Sequence, residues 1–388
     1  MLDGRDRLGP QDLVEVLKTY RDLLRLHQDR INRLNVYPVP DGDTGTNLAL
    51  TMESVVKEVE ANPRTDMAGL ADALSHGSLM GARGNSGVIL SQILRGIADG
   101  VRPLEAVDGA TLTESLVRAR EGAYKAVQNP VEGTILTVMS AAAAGATEAH
   151  AGGVATLAQV VQSATTNAAD ALERTPEMLP VLRAAGVVDS GGSGLLLLFY
   201  ALLHVVTGAP LPEAPDEVVG GVPVARVAEV GMTGGRFEVM FLLEAPEEAM
   251  EGFRARWSAI GDSIAVVGGD GLYNCHVHTD DIGAAVEAAI EVGRPRSIRV
   301  TDLLEEVAEE RWVRQAVGQH GGEAGTLAPG TAEPTNLEPA TQPACAVVAV
   351  CSGSGIERIF RSLGVSGVVS GGRSMNPSLA EVLAAVEA

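Results

Sequence analysis

The sequence predicts a multidomain chain: an all-helical N-terminal domain, a small α/β domain of sandwich type, and an incomplete α/β segment at the C-terminus. Three observations predict it. Apolar residues recur at helical spacing through the first 208 residues, with almost no strand pattern before Pro210. The stretch Pro210-Leu211-Pro212-Glu213-Ala214-Pro215 then breaks the chain. Beyond it, short strand patterns alternate with helical ones. The resulting boundaries are 1–208 for the helical domain, 209–220 for a linker, 221–318 for the α/β domain, 319–343 for a flexible linker and 344–388 for the last segment.

The first helix spans Gln11 to Leu34, where Leu13, Val16, Leu17, Tyr20, Leu23 and Leu24 share one face, and Pro38 and Pro40 prevent its continuation. Further helices fit Thr46–Asn62, Asp66–Met80, Val88–Ile97, Thr113–Val127, Ile135–Ala144, Val154–Arg174 and Leu195–Val206. The last is the longest apolar run. It is too short to cross a bilayer and reads as a buried helix. Between these helices lie turns at Asp41–Gly45, Gly81–Gly87, Gly133 and Asp189–Gly194, rich in Gly, Ser, Thr and Asp beyond what connectors need. Strands are expected at Arg236–Leu243, Ser263–Val267, Leu272–His278 and Ser297–Val300, with helices at Pro246–Trp257 and Ile282–Val292. Gln319–Pro343 has almost no large apolar residue and is read as a linker. Strands at Cys345–Val350 and Val365–Val369, a helix at Ile356–Leu363 and a final helix from Ser378 follow. These last residues are too few for a stable α/β domain alone, so the segment is expected to be truncated.

Hydrophobic residues make up 46% and charged residues 20%, an ordinary globular balance, while aromatics are only 3%, so the cores must be built from Ala, Val and Leu. The formal charge of −21 argues against nucleic acid or an anionic membrane surface as the main partner. It also means that a polyanion site needs a metal or oriented backbone N–H groups. The three cysteines, Cys275, Cys345 and Cys351, form no disulfide framework, and the charged N-terminus does not begin a secretory signal. A cytoplasmic protein without an integral membrane segment is expected.

Asp41-Gly42-Asp43 places two carboxylates around a glycine just before a helix, so both can face one point. Oxygen ligands on a tight turn suit Mg²⁺, and the Thr44, Gly45, Thr46 and Asn47 hydroxyls and N–H groups at the helix start suit phosphate. A polar turn with a helix cap is the plain alternative for Asp-Gly alone.

The longer string Asn35-Val36-Tyr37-Pro38-Val39-Pro40-Asp41-Gly42-Asp43-Thr44-Gly45-Thr46-Asn47-Leu48 resembles the signature of the ATP-binding subunit of bacterial fatty acid kinase. More distantly, it resembles the nucleotide-binding L subunit (DhaL) of dihydroxyacetone kinase. Gly81-Ala82-Arg83-Gly84-Asn85-Ser86-Gly87, Glu132-Gly133-Thr134-Ile135-Leu136-Thr137 and Asp189-Ser190-Gly191-Gly192-Ser193-Gly194 match the same family in the same order. The resemblance implies a DhaL-like helical barrel whose open end holds Mg-ATP. Asp41 and Asp43 are the implied Mg²⁺ ligands, with Asn35 a third metal-site residue. Thr44 to Asn47, Asn85 and Ser86 would contact phosphates. Gly133 and Thr134 belong to the cofactor site, and Asp189, Ser190 and Gly191 would close the nucleotide pocket. Asp41, Asp43 and Arg83 are the expected catalytic set, with Arg83 and Arg183 placed to neutralise phosphate charge or to form salt bridges. The implied acceptor is a fatty acid held by a separate binding protein, the product an acyl phosphate, and the oligomer a homodimer. A carboxylate acceptor is already ionised at neutral pH and needs no general base.

His276-Val277-His278 sits on a strand with both imidazoles on one face, an arrangement that can bind Zn²⁺. The family often carries a cysteine as a further ligand, and Arg236 stands at that place. Zinc binding and hydrogen-bonded histidines at a domain interface both remain open readings. Ser352-Gly353-Ser354-Gly355 reads as a structural turn. Two other functions compete with the fatty acid kinase: a dihydroxyacetone (glycerone) or similar small-molecule kinase, and a nucleotide-binding regulator without turnover.

Overall fold

The computed structural model describes residues 4–61, 66–151, 155–213, 235–308, 347–351, 356, 360, 365 and 367–370. Its helices in the first part are α1 (Pro10–Leu34), α2 (Thr44–Ala61), α3 (Met67–Gly81), α4 (Gly84–Val101), α5 (Gly109–Ala126), α6 (Ile135–His150), α7 (Leu157–Glu173), α8 (Thr175–Met178), α9 (Pro180–Ala185) and α10 (Ser190–Thr207). Each long helix packs on the next from α1 to α7, α7 packs on α10, and α10 returns to α1, so the helices close into a ring. The interior is aliphatic, as the shortage of aromatics requires. Ala119, Ala123, Ala142, Ala143 and Ala146 are wholly buried beside Leu48, Leu90 and Leu195. Helix α10 is the one described helix long and apolar enough to cross a membrane, and 78% of it is buried inside the protein.

The helix starts are set by local chemistry. Asp66, Asp108, Thr156 and Asp189 accept N–H groups of the first turns of α3, α5, α7 and α10. The structure moves several boundaries, three of them at the Gly-rich turns. Helices α2, α4 and α10 begin at Thr44, Gly84 and Ser190, earlier than the pattern predicts, so most of two Gly-rich turns and the end of a third are first helical turns. Their glycines lower helix propensity, and tertiary packing overrides it. Adding a Cβ to Gly45 would bring it within 2.3 Å of the Gln28 carbonyl oxygen, so α2 can start against α1 only through a glycine.

The sheet part contains β1 (Phe237–Glu244), α11 (Met250–Trp257), β2 (Gly261–Gly269), β3 (Leu272–Thr279), α12 (Ile282–Val292) and β4 (Arg294–Asp302). The four strands are antiparallel in the order β2-β3-β1-β4. On one face Val239, Phe241, Ile264, Val266, Cys275 and Val277 pack with α11 and α12 around Trp257 and Phe253. The Trp257 indole N–H donates to the Ala285 carbonyl at 3.1 Å, which satisfies its polar edge. The other face rests on the ring. Met240, Ala265 and Val267 meet Ala82, Val88 and Ala126, and the Asn274 amide donates to the Leu79 carbonyl at 3.1 Å. Residues 1–324 therefore form one compact unit, and residues 325–388 a second.

In the second unit β5 (Val348–Cys351) runs parallel to β6 (Gly367–Ser370), and residues 356 and 360 are helical. The expected linker at 319–343, Cys345, the Ser352–Gly355 turn, the final helix from Ser378 and linker residues 214–220 lie outside the described residues.

Candidate functional site

The end of α1 and the start of α2 build the acidic part of the site. Asn32, in the last turn of α1, accepts the Gly45 N–H at 2.7 Å and the Thr46 N–H at 3.1 Å through Oδ1. The Asn47 N–H donates to the Asp43 carbonyl at 2.9 Å. Those three amides thus have protein acceptors, while the expected phosphate contacts of this segment also included its hydroxyls. Asn32 occupies the helix start where an anion was anticipated.

Asp41 and Asp43 project from the turn between Pro40 and α2. The buried Asn35 amide nitrogen donates to Asp41 Oδ1, and Asn47 Nδ2 donates to Asp43 Oδ2 at 2.7 Å. Asn35 therefore holds Asp41 through its amide nitrogen. Burial and then the Asp43 charge push the Asp41 carboxyl well above its ordinary range, with Glu306 and Glu238 adding to the rise. Burial also raises Asp43. Carboxylate oxygens of Asp41, Asp43 and Glu306 lie within 4.8 Å of one another. This oxygen-only set is suited to a hard divalent ion such as Mg²⁺.

A cavity of about 320 Å³ lies between the ring and the sheet, and Asp41, Asp43 and Glu306 are not among its lining residues. Asn85 and Ser86 from α4, Thr134 from the start of α6, and Asp189, Ser190 and Gly191 from the start of α10 line it. Residues Asp262 to Ile264 of β2 face them from the sheet. The Ser190 hydroxyl donates to Thr44 Oγ1 at 3.2 Å and joins this lining to the turn that carries the aspartates. Asp189 caps α10 by accepting the Gly192 N–H at 2.7 Å, and burial pushes its carboxyl up to about 7. Thr134 caps α6, and the Gly133 N–H donates to Thr137 Oγ1 at 2.8 Å.

Two arginines lie elsewhere than expected. The Arg83 side chain lines a different groove, with Arg21, Arg25 and Lys57. Its backbone N–H donates to Thr51 Oγ1 at 3.2 Å. The Arg183 guanidinium donates to the carbonyls of Pro176 and Glu177 and so braces the α8–α9 turn. Neither arginine is among the cavity-lining residues.

On the sheet face toward the ring, His276 and His278 stand opposite Met240 and Glu238 in the β1–β3 register. Both imidazoles are buried, their ring centroids are 4.9 Å apart, and His276 Nδ1, His276 Nε2 and His278 Nδ1 have no hydrogen-bond partner among the described residues. Glu238 Oε1 is 3.3 Å from His276 Nδ1, close but without hydrogen-bond geometry. Burial holds His276 well below the ordinary imidazole range and lowers His278 to about 4, so both present neutral nitrogens. Burial first, then Asp43 and Glu306, pushes Glu238 up to about 8. Among the described residues these nitrogens have no hydrogen-bond partner, and two imidazoles with a carboxylate form a donor set that fits Zn²⁺. Arg236, at the place of the family's cysteine, contributes no ligand. It is exposed, and its Nε lies 3.0 Å from Asp302 Oδ2. Cys275 lies in the opposite-face core, as strand alternation requires.

Sequence reasoning missed Glu238, Glu306 and Asn32. Glu238 carried a signal, as the lone charge between Phe237 and Leu243 in an apolar strand. The other two act only through tertiary approach.

Comparison with known proteins follows the same order along the chain. Residues 38–204 match the DAK2 domain, 234–310 the FakA-like middle domain of fatty acid kinase, and 346–388 the FakA-like C-terminal domain of fatty acid kinase. Protein YloV of Bacillus subtilis strain 168 is 35% identical over 398 residues, covering 100% of this chain and 68% of that protein. Uncharacterized proteins SAB1090 and SAUSA300_1119 of Staphylococcus aureus, strains bovine RF122 and USA300, are each 36% identical over 370 residues, covering 92% of this chain and 64% of theirs. The chain thus spans about two thirds of the length of these relatives. A DAK2 helical domain followed by the two FakA-like domains identifies a kinase-type, nucleotide-site architecture, and the chain belongs to the FakA-like family of fatty acid kinase proteins.

Proposed function

We propose that the chain is an ATP-dependent kinase subunit that transfers the γ-phosphate to the carboxylate of a fatty acid held by a separate binding protein, giving an acyl phosphate. One observation carries this reading. Residues of three separate motifs, Asn85-Ser86, Thr134 and Asp189 to Gly191, converge on a single cavity joined through Thr44 to the Asp41–Asp43 turn.

In this reading Asp41 and Asp43 hold Mg²⁺, which supplies charge neutralisation for the phosphates when bound. Asn35 and Asn47 orient the two carboxylates. Asn85, Ser86 and Thr134 offer amide and hydroxyl donors to the nucleotide, and Asp189 shapes the base of α10 around it. Residues Asp262 to Ile264 cover the cavity and exclude water. The acceptor carboxylate is ionised at neutral pH, so the protein needs to position it rather than deprotonate it. His276, His278 and Glu238 hold Zn²⁺ as a structural centre on the sheet face. The homodimer and the acyl-carrying partner are part of the same proposal.

Calorimetric titration of ATP with and without Mg²⁺ tests it, on wild type and on the Asp41→Ala/Asp43→Ala variant. Mg²⁺-dependent binding that the variant lacks is expected. Wild type without such binding refutes the nucleotide site. Binding without acyl phosphate formation alongside any lipid-loaded partner refutes the acceptor.

A further inference from the structure

The helix at 303–308 follows β4 directly and is secured at its start. Asp302 accepts the Leu304 N–H at 3.1 Å while also holding the Arg236 guanidinium, and the Leu303 N–H donates to the Arg236 carbonyl at 3.0 Å. Leu303 and Val307, one helical turn apart, are buried against Val39 and form with it a separate small apolar cluster. Val39 lies two residues before Asp41, so this clip grips the strand of chain that leads into the aspartate turn. Glu306 precedes Val307 on the same helix, and its carboxylate lies within 4.8 Å of those of Asp41 and Asp43.

Three carboxylates at that spacing repel one another, and either a proton or a cation among them relieves the repulsion. The apolar clip gains nothing from bringing a third acid there. Leu303 and Val307 could be buried equally well with a neutral residue at 306. Two groups from the ring and one from the sheet part make a set of hard oxygens, and a divalent ion of the Mg²⁺ class would take such a set while keeping positions for water or phosphate.

We propose that Glu306 is a third carboxylate ligand of the metal at Asp41 and Asp43, so that one ion is held jointly by the helical ring and the sheet part. The inference rests on the metal assignment made under the proposed function. It adds that metal binding latches the 303–308 helix to the ring. Arg236, which departs from the family pattern, then has a positioning role: through Asp302 it anchors the helix that presents Glu306.

Mn²⁺ alone, titrated into the full chain and followed by its free-ion electron paramagnetic resonance signal, tests the latch. Glu306→Gln keeps shape and removes the charge, and loss of about tenfold or more in Mn²⁺ affinity is expected, as for groups that ligate or directly support a metal. Hydrogen exchange at 303–308 is expected to slow on adding Mn²⁺ in wild type and not in Glu306→Gln. A second variant, Leu303→Ala, leaves all three carboxylates and loosens the clip, and is expected to weaken Mn²⁺ by a smaller factor. Mn²⁺ binding abolished by Asp43→Asn but unchanged in Glu306→Gln, or exchange at 303–308 insensitive to Mn²⁺, overturns the role of Glu306 and leaves the metal assignment standing. Wild type that binds no Mn²⁺ overturns both.

Discussion

Glu238 Oε1 lies 3.3 Å from His276 Nδ1 on the sheet face that meets the ring, and among the described residues the imidazole nitrogen has no hydrogen bond to satisfy it. Buried polar atoms without partners are rare in folded proteins, and a run of three on two neighbouring histidines asks for a ligand. Purified protein is expected to carry about one equivalent of Zn²⁺ by elemental analysis, given the three protein ligands. His276→Ala is expected to lose it. Chelator treatment should lower the melting temperature of wild type and leave that of His276→Ala unchanged. A metal-free wild type with an unaltered melting temperature contradicts the assignment.

Asn32 replaces an anion at the start of α2. Asn32→Ala strips the acceptor from two N–H groups and is expected to destabilise the chain by about 1 kcal/mol, the usual worth of a cap. Urea denaturation reads this directly. Asn32→Asp, which retains an acceptor oxygen, should recover most of the loss.

Asp189 sets a pH dependence whose sign follows from its burial. Its folded-state value of about 7 is above the ordinary 3.8, so the folded protein binds this proton more tightly than the unfolded chain does. Stability from this group is full below the unfolded value, falls as pH rises toward about 7, and is level beyond. Each tenfold gain in proton affinity corresponds to about 1.4 kcal/mol, so the full change is a few kcal/mol. Asp189→Asn, whose amide oxygen can still accept the Gly192 N–H, is expected to flatten the melting temperature between those pH limits. An unchanged slope shows that other groups govern it.

Gly84 sits at φ +54°, and a Cβ there would come within 2.3 Å of Asn47 Nδ2, the amide that holds Asp43. Gly84→Ala is expected to cost about 1–2 kcal/mol from the backbone alone. It should also weaken Mg-ATP, because Asn47 must move. Calorimetry separates the two effects, since a purely structural role would change stability without changing affinity in the folded protein.

The helices were legible because burial imposes a 3.6-residue period on residues such as Val16, Tyr20 and Leu24, and the strands because Val239, Phe241 and Leu243 alternate with Glu238, Met240 and Leu242. The starts of α4 and α10 were not. Gly84 and Gly191 to Gly194 lower helix propensity, and only the packed neighbours decide in favour of helix. Asp41, Asp43 and the cavity residues Asn85, Thr134 and Asp189 stand in separate Gly-rich motifs along the chain, and those motifs are what mark them in the sequence. Glu306 could not be read this way, because nothing near it in sequence marks a metal site. It gains meaning only when Leu303 and Val307 close on Val39.

The seam where α10 meets α1 has a mechanical consequence. Near it the Arg5 N–H donates to the Val206 carbonyl at 2.9 Å, so the ring's two chain ends are fastened to each other. A row of helices with loose ends can fray from either side, whereas a hoop has no side to fray from. The helical ring is thereby committed to opening in a single cooperative event, and truncating α1 would release α2 and α10 together rather than shorten the structure by one layer.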